Sequence, residues 1–318
     1  MSKLVINFLG TGPAVAIPRL GHHDSTCRDA KRTKSRTRRL RSSLLITYKN
    51  TSILVDAGPD FLAQSKNITG KLAAAFLTHE HEDACGGLHD LRAWAATKKL
   101  SLPLYCLPKT WKKIADEFSP LKPAFVKPNK SIKVGDLIIT PFCVRHGIKH
   151  NVPTLGFQIA VPIILPIGRI IGTGKFNTTN GTIIDVAIDT AKSDKKIAGD
   201  ERIAALPIKI IYASDMDGAP LVSKKIFREA NLIIIDSAMW FGRKLNGHFN
   251  PEQAIKFLKS LLQHSHILKN VSMLVVLTQI GHSWPPYDKA VRELALYCKK
   301  QKIPFPVSVA YDNLRIKI

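Results

Sequence analysis

The stretch LTHEHEDACGGLHDLR, residues 77–92, is the most informative part of this sequence. It follows an apolar run and places His79, His81 and Asp83 at alternate positions. A loop that leaves the end of a strand can direct alternate side chains toward one point. Imidazole and carboxylate together suit zinc, with manganese and iron as alternatives. The stretch therefore predicts a metal site at the end of a strand.

The rest of the chain predicts an α/β architecture. Strand-like apolar runs alternate with helical patterns, such as the one that begins at Pro251 after a capping residue, Asn250. Interleaved strands and helices are typical of proteins with mostly buried sheets. Further candidate ligands follow predicted strands or stand in loops beside them: His146 in VRHG, Asp215 in YASD, His248 in GHF and His282 in IGH.

We expect one soluble domain over residues 1–318, because no stretch is a convincing linker. The chain is 45% hydrophobic, which is ample for one large core or two small ones. We interpret the polar, turn-rich interval at about 168–205 as an insertion within that domain. No stretch is typical of a signal peptide or of a membrane span. The five cysteines are widely spaced, which predicts a reducing, cytoplasmic location, and nothing in the sequence indicates an oligomeric state.

The charge predicts anionic partners. Lys and Arg number 47 against 24 Asp and Glu, for a net charge of +23, and many cluster in RDAKRTKSRTRRLR, residues 28–41. Such a field should attract phosphate-ester small molecules, nucleotides or nucleic acid. The alternative is a solvated, lysine-rich surface without a specific ligand.

A series of motifs in order along the chain resembles the metallo-β-lactamase superfamily. The motifs are FLGTG (8–12), ILVDAGPDF (53–61), LTHEHEDACGGLHDLR, YASD (212–215), GHFNPEQA (247–254) and LTQIGH (277–282). GPDF and LHDLR make the chain most similar to the branch that contains the cyclic-phosphate phosphodiesterase of phosphonate breakdown. The resemblance covers nearly the whole chain. It implies an αββα sandwich with metals at one edge.

The resemblance implies four ligands for a first metal: His79, His81, His146 and Asp215. A second metal would use Asp83 and Asp215 together with two histidines of the family pattern. Ala84 and Gln279 stand in place of those histidines. Alanine cannot coordinate a metal and a glutamine amide is a poor zinc ligand. Because both departures fall on the second site, we expect one catalytic metal and a weakened second site at Asp83.

The resemblance also implies a structural zinc. The branch holds this ion with cysteines of the N-terminal loop and a late histidine. In this chain the matching positions are His22, Asp24, Cys27 and His282, a set that could still bind zinc. The alternative is that these are exposed polar residues on a loop.

The expected activity is that of a metal-dependent hydrolase, a phosphodiesterase acting on a small cyclic or nucleotide-like phosphodiester. In the usual mechanism a metal-bound hydroxide attacks phosphorus. Asp83 and His248 are the expected catalytic residues, with His248 as a general acid. Asp56 is expected to hold the loop that contains His79, His81 and Asp83, here called the metal loop, through hydrogen bonds. With one metal, activity should be lower than in a two-metal relative.

Two alternatives remain open. FLGTG also opens the tRNA 3′-end endonucleases, and the positive charge suits RNA, so the chain could be an RNA-processing nuclease. GPDF and LHDLR count against that interpretation. The other alternative is a catalytically degraded member that binds an anion, a nucleic acid or a protein. Ala84 and Gln279 favour it, whereas the retained first-site residues count against it.

Overall fold

A computed structural model describes residues 4–68, 70–118, 122–147, 152–162, 171–177, 183–188, 207–262 and 273–318. The strands in these ranges are β1 (Leu4–Gly10), β2 (Ser43–Tyr48), β3 (Thr51–Val55), β4 (Leu72–Phe76), β5 (Leu104–Cys106), β6 (Pro123–Phe125), β7 (Ile132–Val134), β8 (Leu137–Val144), β9 (Thr154–Val161), β10 (Ile171–Asn177), β11 (Ile183–Ile188), β12 (Ile208–Ala213), β13 (Leu232–Asp236), β14 (Leu274–Thr278), β15 (Val307–Val309) and β16 (Arg315–Lys317). The helices are α1 (Ser25–Ala30), α2 (Phe61–Gln64), α3 (Glu82–Cys85), α4 (Leu88–Thr97), α5 (Pro108–Phe118), α6 (Leu221–Phe227), α7 (Pro251–Leu262) and α8 (Tyr287–Lys300).

Two seven-stranded sheets form the centre of the structure. The N-terminal sheet has the order β16-β1-β2-β3-β4-β5-β6, and the C-terminal sheet has the order β15-β14-β13-β12-β9-β8-β7. Strands β3 to β6 run parallel to one another, as do β12 to β15. Strand β16 returns from the end of the chain to pair antiparallel with β1. The predicted α/β class is confirmed.

Both faces of each sheet are buried, which is why the strands are so apolar. In β2, Leu44 and Ile46 belong to the core between the sheets, and Leu45 belongs to a second core under α2, α4 and α5. In β13, Ile234 faces the central core and Ile233 faces a third core under α6 to α8. Successive strand residues point to opposite faces, so three cores separate four layers. The layers are the predicted αββα sandwich.

Local signals in the sequence account for several elements. The β2–β3 hairpin turns at Lys49 and Asn50, and Lys49 takes the left-handed conformation with φ 52°. Helix α7 begins after a reciprocal cap, because Gln253 N donates to Asn250 Oδ1 at 2.8 Å and Asn250 N donates to Gln253 Oε1 at 3.0 Å. No helix in the described ranges is both long and apolar enough to cross a bilayer.

The interval at about 168–205 differs from the sequence-based expectation in one respect. Its polar, turn-rich sequence does not indicate strands, yet its described residues form β10 and β11. These strands pair antiparallel in a sheet of their own. A short antiparallel pair can form from turn-rich sequence because the hairpin is local. The other residues of the interval lie outside the described ranges.

A buried arginine ties the chain termini to the basic segment. Arg39 is 2% exposed, and its Nη1 donates to Thr11 Oγ1 and to the carbonyl of Ala310, both at 2.7 Å. Burial lowers the pKa of Arg39 to about 10, and the nearby Asp312 acts in the opposite direction. Leu40 N donates to Asp312 Oδ2 at 2.7 Å. The guanidinium therefore joins β1, the basic segment and the loop after β15.

Replacing this arginine should destabilise the whole fold. Arg39→Ala would leave the Ala310 carbonyl and the Thr11 hydroxyl without their buried donor, and each buried polar group left unsatisfied costs about 1–3 kcal/mol. We expect a loss of this order in the free energy of unfolding, measured by urea denaturation. Lys31→Ala, at an exposed position of the same segment, is the control. Equal stability of the two variants would contradict the anchoring role.

Candidate metal centre

A chain of hydrogen bonds at the ends of β3 and β4 orients His79. Thr78 N donates to Asp56 Oδ1 at 2.8 Å, and Thr78 Oγ1 lies 3.0 Å from both carboxylate oxygens. The same hydroxyl oxygen lies 2.8 Å from His79 Nδ1. When the hydroxyl donates to Asp56, it accepts from Nδ1–H and leaves the lone pair on Nε2. Asp56 thus has the contacts expected of the residue that holds the metal loop.

His79 is buried in a form suited to binding a metal. Its side chain is fully buried, and its Nε2 has no hydrogen-bond partner. Asp83 Oδ1 lies 3.9 Å from His79 Nε2, too far for a hydrogen bond. Burial lowers the pKa of His79 to about 3, so the ring stays neutral. A buried nitrogen lone pair without a partner is costly unless a cation binds it.

His146 follows β8 and is oriented by a different loop. Its Nδ1 lies 3.0 Å from the carbonyl oxygen of Gly247 and donates to it. Gly247 N donates to Asp217 Oδ2 at 3.1 Å, so the glycine is held on both sides. Gly247 has φ +88°, and a Cβ there would come within 3.0 Å of His146 Nδ1. A glycine is needed at this position, and His146 Nε2 is left for a ligand.

The fold gathers the predicted first-site residues from both sheets. One group consists of His79, His81 and His146, each of which offers a ligand atom within 4.8 Å of the others. A second group, defined by the same distance, consists of His146, Asp215 and His248. The ring centroids of His79 and His81 are 4.6 Å apart, and those of His81 and His146 are 5.4 Å apart. The two groups share His146. Three imidazoles and the carboxylate of Asp215 are a donor set that fits zinc.

The two departures from the family pattern have different surroundings. Ala84 is buried in α3, and its backbone joins the loop to the end of β3, since Ala57 N donates to Ala84 O at 2.8 Å. Gln279 is 1% exposed and donates from Nε2 to Asp215 Oδ1 at 2.6 Å. Neither side chain offers a free lone pair where a second metal would need one.

Asp83 lies beside the first-site residues and is largely buried. Burial raises the pKa of Asp83, and the negative charge of Asp215 raises it further. A carboxyl group with a raised pKa can accept or release a proton near neutral pH. The position is consistent with the expected catalytic role of Asp83.

His248 is paired with a buried carboxylate that sequence reasoning missed. Its Nδ1 lies 2.8 Å from Asp236 Oδ2, and Asp236 Oδ1 accepts from the N–H groups of Phe249 and Ala238 at 2.9 and 3.1 Å. Burial would lower the pKa of His248, but Asp236 raises it to about 9. The signal in the sequence was an aspartate that closes the apolar run LIIID.

These residues line a cleft of about 610 Å³. Its wall contains three arginines, Arg19, Arg41 and Arg243, together with apolar side chains that include Val15 and Leu245. Val15 and Leu245 are 51% and 50% exposed, so the mouth of the cleft is partly apolar. The cleft can therefore receive a ligand with an anionic part and an apolar part.

Three of the four residues expected to hold a structural zinc meet at the rim of the same cleft. His22, Asp24 and His282 each offer a ligand atom within 4.8 Å of the others. His282 Nε2 is bonded to Asp24 Oδ2, and the His22 and His282 rings meet edge to face. Cys27 lies outside this group, because it is buried in α1 and its Sγ accepts from Arg19 N at 3.4 Å. The structure thus gives a His/Asp/His group rather than the expected set of four.

The basic segment forms a cationic ridge on the surface. We define the ridge by six exposed side chains: Arg28, Lys31, Arg32, Lys34, Arg36 and Arg38. Its base is held by Asp29, which accepts from Ser35 Oγ at 3.0 Å, and by Thr37, whose Oγ1 accepts from Tyr287 N at 2.9 Å. Arg36 packs over the ring of Tyr311 at 4.8 Å. The same segment continues into the cleft through Arg41.

Comparison with known proteins gives a family match for part of the chain. Residues 51–163 match the model of the beta-lactamase superfamily domain. The match includes β3, the loop after β4 with His79 and His81, and His146, whereas Asp215 lies outside it.

Solved structures share the fold over nearly the entire chain. A diphosphatase of the PhnP family has a TM-score of 0.69 at 18% identity, covering 99% of this chain and 97% of that one. Zinc-bound PqqB from Methylobacterium extorquens has a TM-score of 0.64 at 15% identity, covering 98% and 99%. Human tRNase Z, short form, has a TM-score of 0.56 at 16% identity, covering 98% of each chain. At these identities the similarity shows the fold.

A curated relative has a different named activity. An octanoyltransferase of Porphyromonas gingivalis (strain ATCC BAA-308 / W83) is 35% identical over 164 residues. The match covers 48% of this chain and 32% of that protein, so about two thirds of the relative lies outside it. The name of the relative therefore does not assign an activity to the matched part.

The Asp56–Thr78–His79 chain should set the affinity for metal. Thr78→Val keeps the shape of the side chain and removes the hydroxyl that orients His79. Losing such a partner typically weakens metal binding by about 10–100-fold. We expect a loss in this range for zinc, measured by competition with a chromophoric chelator. Thr97→Val, which removes a helix hydroxyl bonded to Ala93 O, should leave the affinity unchanged.

The His248–Asp236 pair should make the stability of the metal-free protein depend on pH. The pKa of His248 is raised from 6.5 to about 9, so the stabilisation is complete below pH 6.5 and is lost as the pH rises through about 9. Asp236→Asn should remove this dependence. Thermal unfolding of metal-free wild type and variant at several pH values measures it. A stability difference that grows above pH 9 would contradict the pairing.

Proposed function

We propose that this protein is a zinc-dependent hydrolase of phosphodiesters, acting on a small cyclic or nucleotide-like substrate with a single catalytic metal. The observation that carries the proposal is the unpartnered, buried Nε2 of His79, which lies in one group with His81 and His146, while His146 also lies in a group with Asp215 and His248. Zinc held by this set would lower the pKa of a bound water and polarise an ester oxygen, and manganese or iron could take its place.

The residues around the centre have complementary roles in this proposal. His248, kept protonated by Asp236, supplies the proton that the leaving oxygen needs when the phosphorus–oxygen bond breaks. Asp83, beside His79, orients the attacking water and accepts its proton. Arg41 is held by Asp60 at 3.2 Å and lines the cleft, where it can bind a phosphoryl oxygen.

The proposal extends to the rest of the molecule. His22, Asp24 and His282 would bind a second, structural zinc at the rim, less tightly than a thiolate set because Cys27 is not part of the group.

All five cysteines are free thiols, which supports a reducing, cytoplasmic location. The fold similarity to a PhnP-family diphosphatase supports a phosphate-ester substrate.

Metal content and turnover test the proposal together. We expect purified wild type to hold zinc and to hydrolyse bis-p-nitrophenyl phosphate, and His79→Ala to lose the catalytic zinc and at least about 100-fold in kcat/KM. Elemental analysis and release of p-nitrophenolate are the measurements. His89→Ala, at an exposed histidine on α4, is the matched control. A metal-free, inactive wild type that folds normally would instead indicate a degraded member with a binding role.

A second candidate is hydrolysis of an acyl ester. The 35% identity to part of an octanoyltransferase and the apolar side chains at the cleft mouth favour it. The same zinc-held water and the same proton donor would serve a carbonyl centre. Turnover of p-nitrophenyl octanoate above that of bis-p-nitrophenyl phosphate would favour this candidate over the first.

The third candidate is RNA processing, which the cationic ridge favours. A group of exposed cations on the segment that leads to Arg41 in the cleft suits a phosphodiester backbone. Cleavage of RNA by wild type, with binding that weakens steeply as salt rises, would favour this candidate. Hydrolysis of bis-p-nitrophenyl phosphate without cleavage of RNA would show that the cationic ridge does not contribute to catalysis.

A further inference from the structure

Gln279 is buried at the end of β14. Gln279 has φ 62° and Asp215 has φ 53°, so both strand-end residues take the left-handed conformation. Non-glycine residues seldom adopt it unless their contacts hold them there. The contact between these two is the 2.6 Å hydrogen bond from Gln279 Nε2 to Asp215 Oδ1.

Ser42 fixes the orientation of the Gln279 amide. A carboxylate only accepts hydrogen bonds, so the NH₂ group must face Asp215 and Oε1 must point away. Ser42 Oγ lies against Gln279 Oε1 and donates to it. Ser42 Oγ also lies 3.0 Å from the carbonyl oxygen of Gly12, a longer contact than the one with Gln279, and that carbonyl already accepts from Ser42 N at 2.9 Å, so the hydroxyl proton goes to the glutamine. We call the hydrogen-bonded chain Ser42–Gln279–Asp215 the relay. Ser42 is 6% exposed, so the relay is shielded from water.

The relay makes the two oxygens of Asp215 unequal. Oδ1 is occupied by the amide, and the other oxygen remains for the group formed with His146 and His248. A bridging aspartate needs both oxygens for two cations. Here the amide hydrogen supplies a partial positive charge on the side where a second cation would lie, and Ala84 supplies no lone pair.

We propose that Gln279 and Ser42 are positioning residues that take the place of the second metal, holding Asp215 as a terminal ligand of one zinc ion. This inference rests on the proposed one-metal hydrolase and explains how its centre stays intact without a second cation. It assigns a role to Ser42, which no motif of the sequence suggested.

Metal binding tests the inference without any need for turnover. All proteins carry His282→Ala, so that the His/Asp/His group at the rim does not contribute to the count. We expect one zinc per chain in this background. Gln279→Met keeps the side-chain volume, removes the hydrogen bond to Asp215, and should weaken zinc binding by about 10–100-fold in chelator competition. Ser42→Ala should weaken it less, because the amide can still reach Asp215.

A matched control separates the relay from general packing. Gln64 is also 1% exposed, and its Nε2 donates to the carbonyl of Arg41 at 2.8 Å. Gln64→Met therefore removes a buried amide without touching a ligand, and should leave zinc affinity unchanged. Thermal unfolding of each variant shows whether it folds.

Restoring the missing histidines gives the converse test. Ala84→His combined with Gln279→His should raise the metal content from one to two per chain, and the cobalt form should show spin coupling between neighbouring ions. Two zinc ions in the His282→Ala background, unchanged affinity in Gln279→Met, or no extra metal in the double variant would each overturn the inference. One zinc with the expected affinity changes, but no hydrolysis of phosphodiesters, would overturn the proposed function alone.

Discussion

The structure depends on one constraint, which is that buried polar groups at the ends of buried strands must find partners. Each sheet is covered on both faces, so a polar side chain at a strand end cannot turn to water. Asp56 meets this constraint by binding the backbone and hydroxyl of Thr78 at the end of the neighbouring strand. Asp236 meets it by binding His248 and two backbone amides. The candidate metal centre is built from residues placed by these pairings.

The same constraint concentrates negative charge inside a strongly positive protein. Asp56, Asp83, Asp215 and Asp236 lie around one edge of the sandwich, and burial raises the pKa of Asp56, Asp83 and Asp236. Buried carboxylates need cations or hydrogen-bond donors to stay ionised. A divalent ion among the imidazoles would supply that charge at the place where the carboxylates converge. The centre thus combines neutral nitrogen ligands with a need for positive charge.

Each sheet provides two of the four candidate ligands of the first metal. The N-terminal sheet provides His79 and His81 after β4, and the C-terminal sheet provides His146 and Asp215 after β8 and β12. At positions 84 and 279, where the resemblance implies histidines, Ala84 O accepts from Ala57 N and Gln279 Nε2 donates to Asp215 Oδ1. The candidate set of His79, His81, His146 and Asp215 is thus placed without a histidine at either position.

The sequence by itself determined the class of fold and most of the candidate ligands. Apolar runs of strand length, alternating with helices and ending in His or Asp, are local patterns, and local patterns can be read without a structure. Tertiary structure alone decided which polar residues meet. Asp236 and His248 are in contact although 12 positions separate them in the chain, and Ser42 and Gln279 are in contact across 237 positions. Cys27 is buried in α1 and so lies outside the group formed by His22, Asp24 and His282. Such pairings arise where separate strand ends and loops converge, and no spacing along the chain encodes that distance.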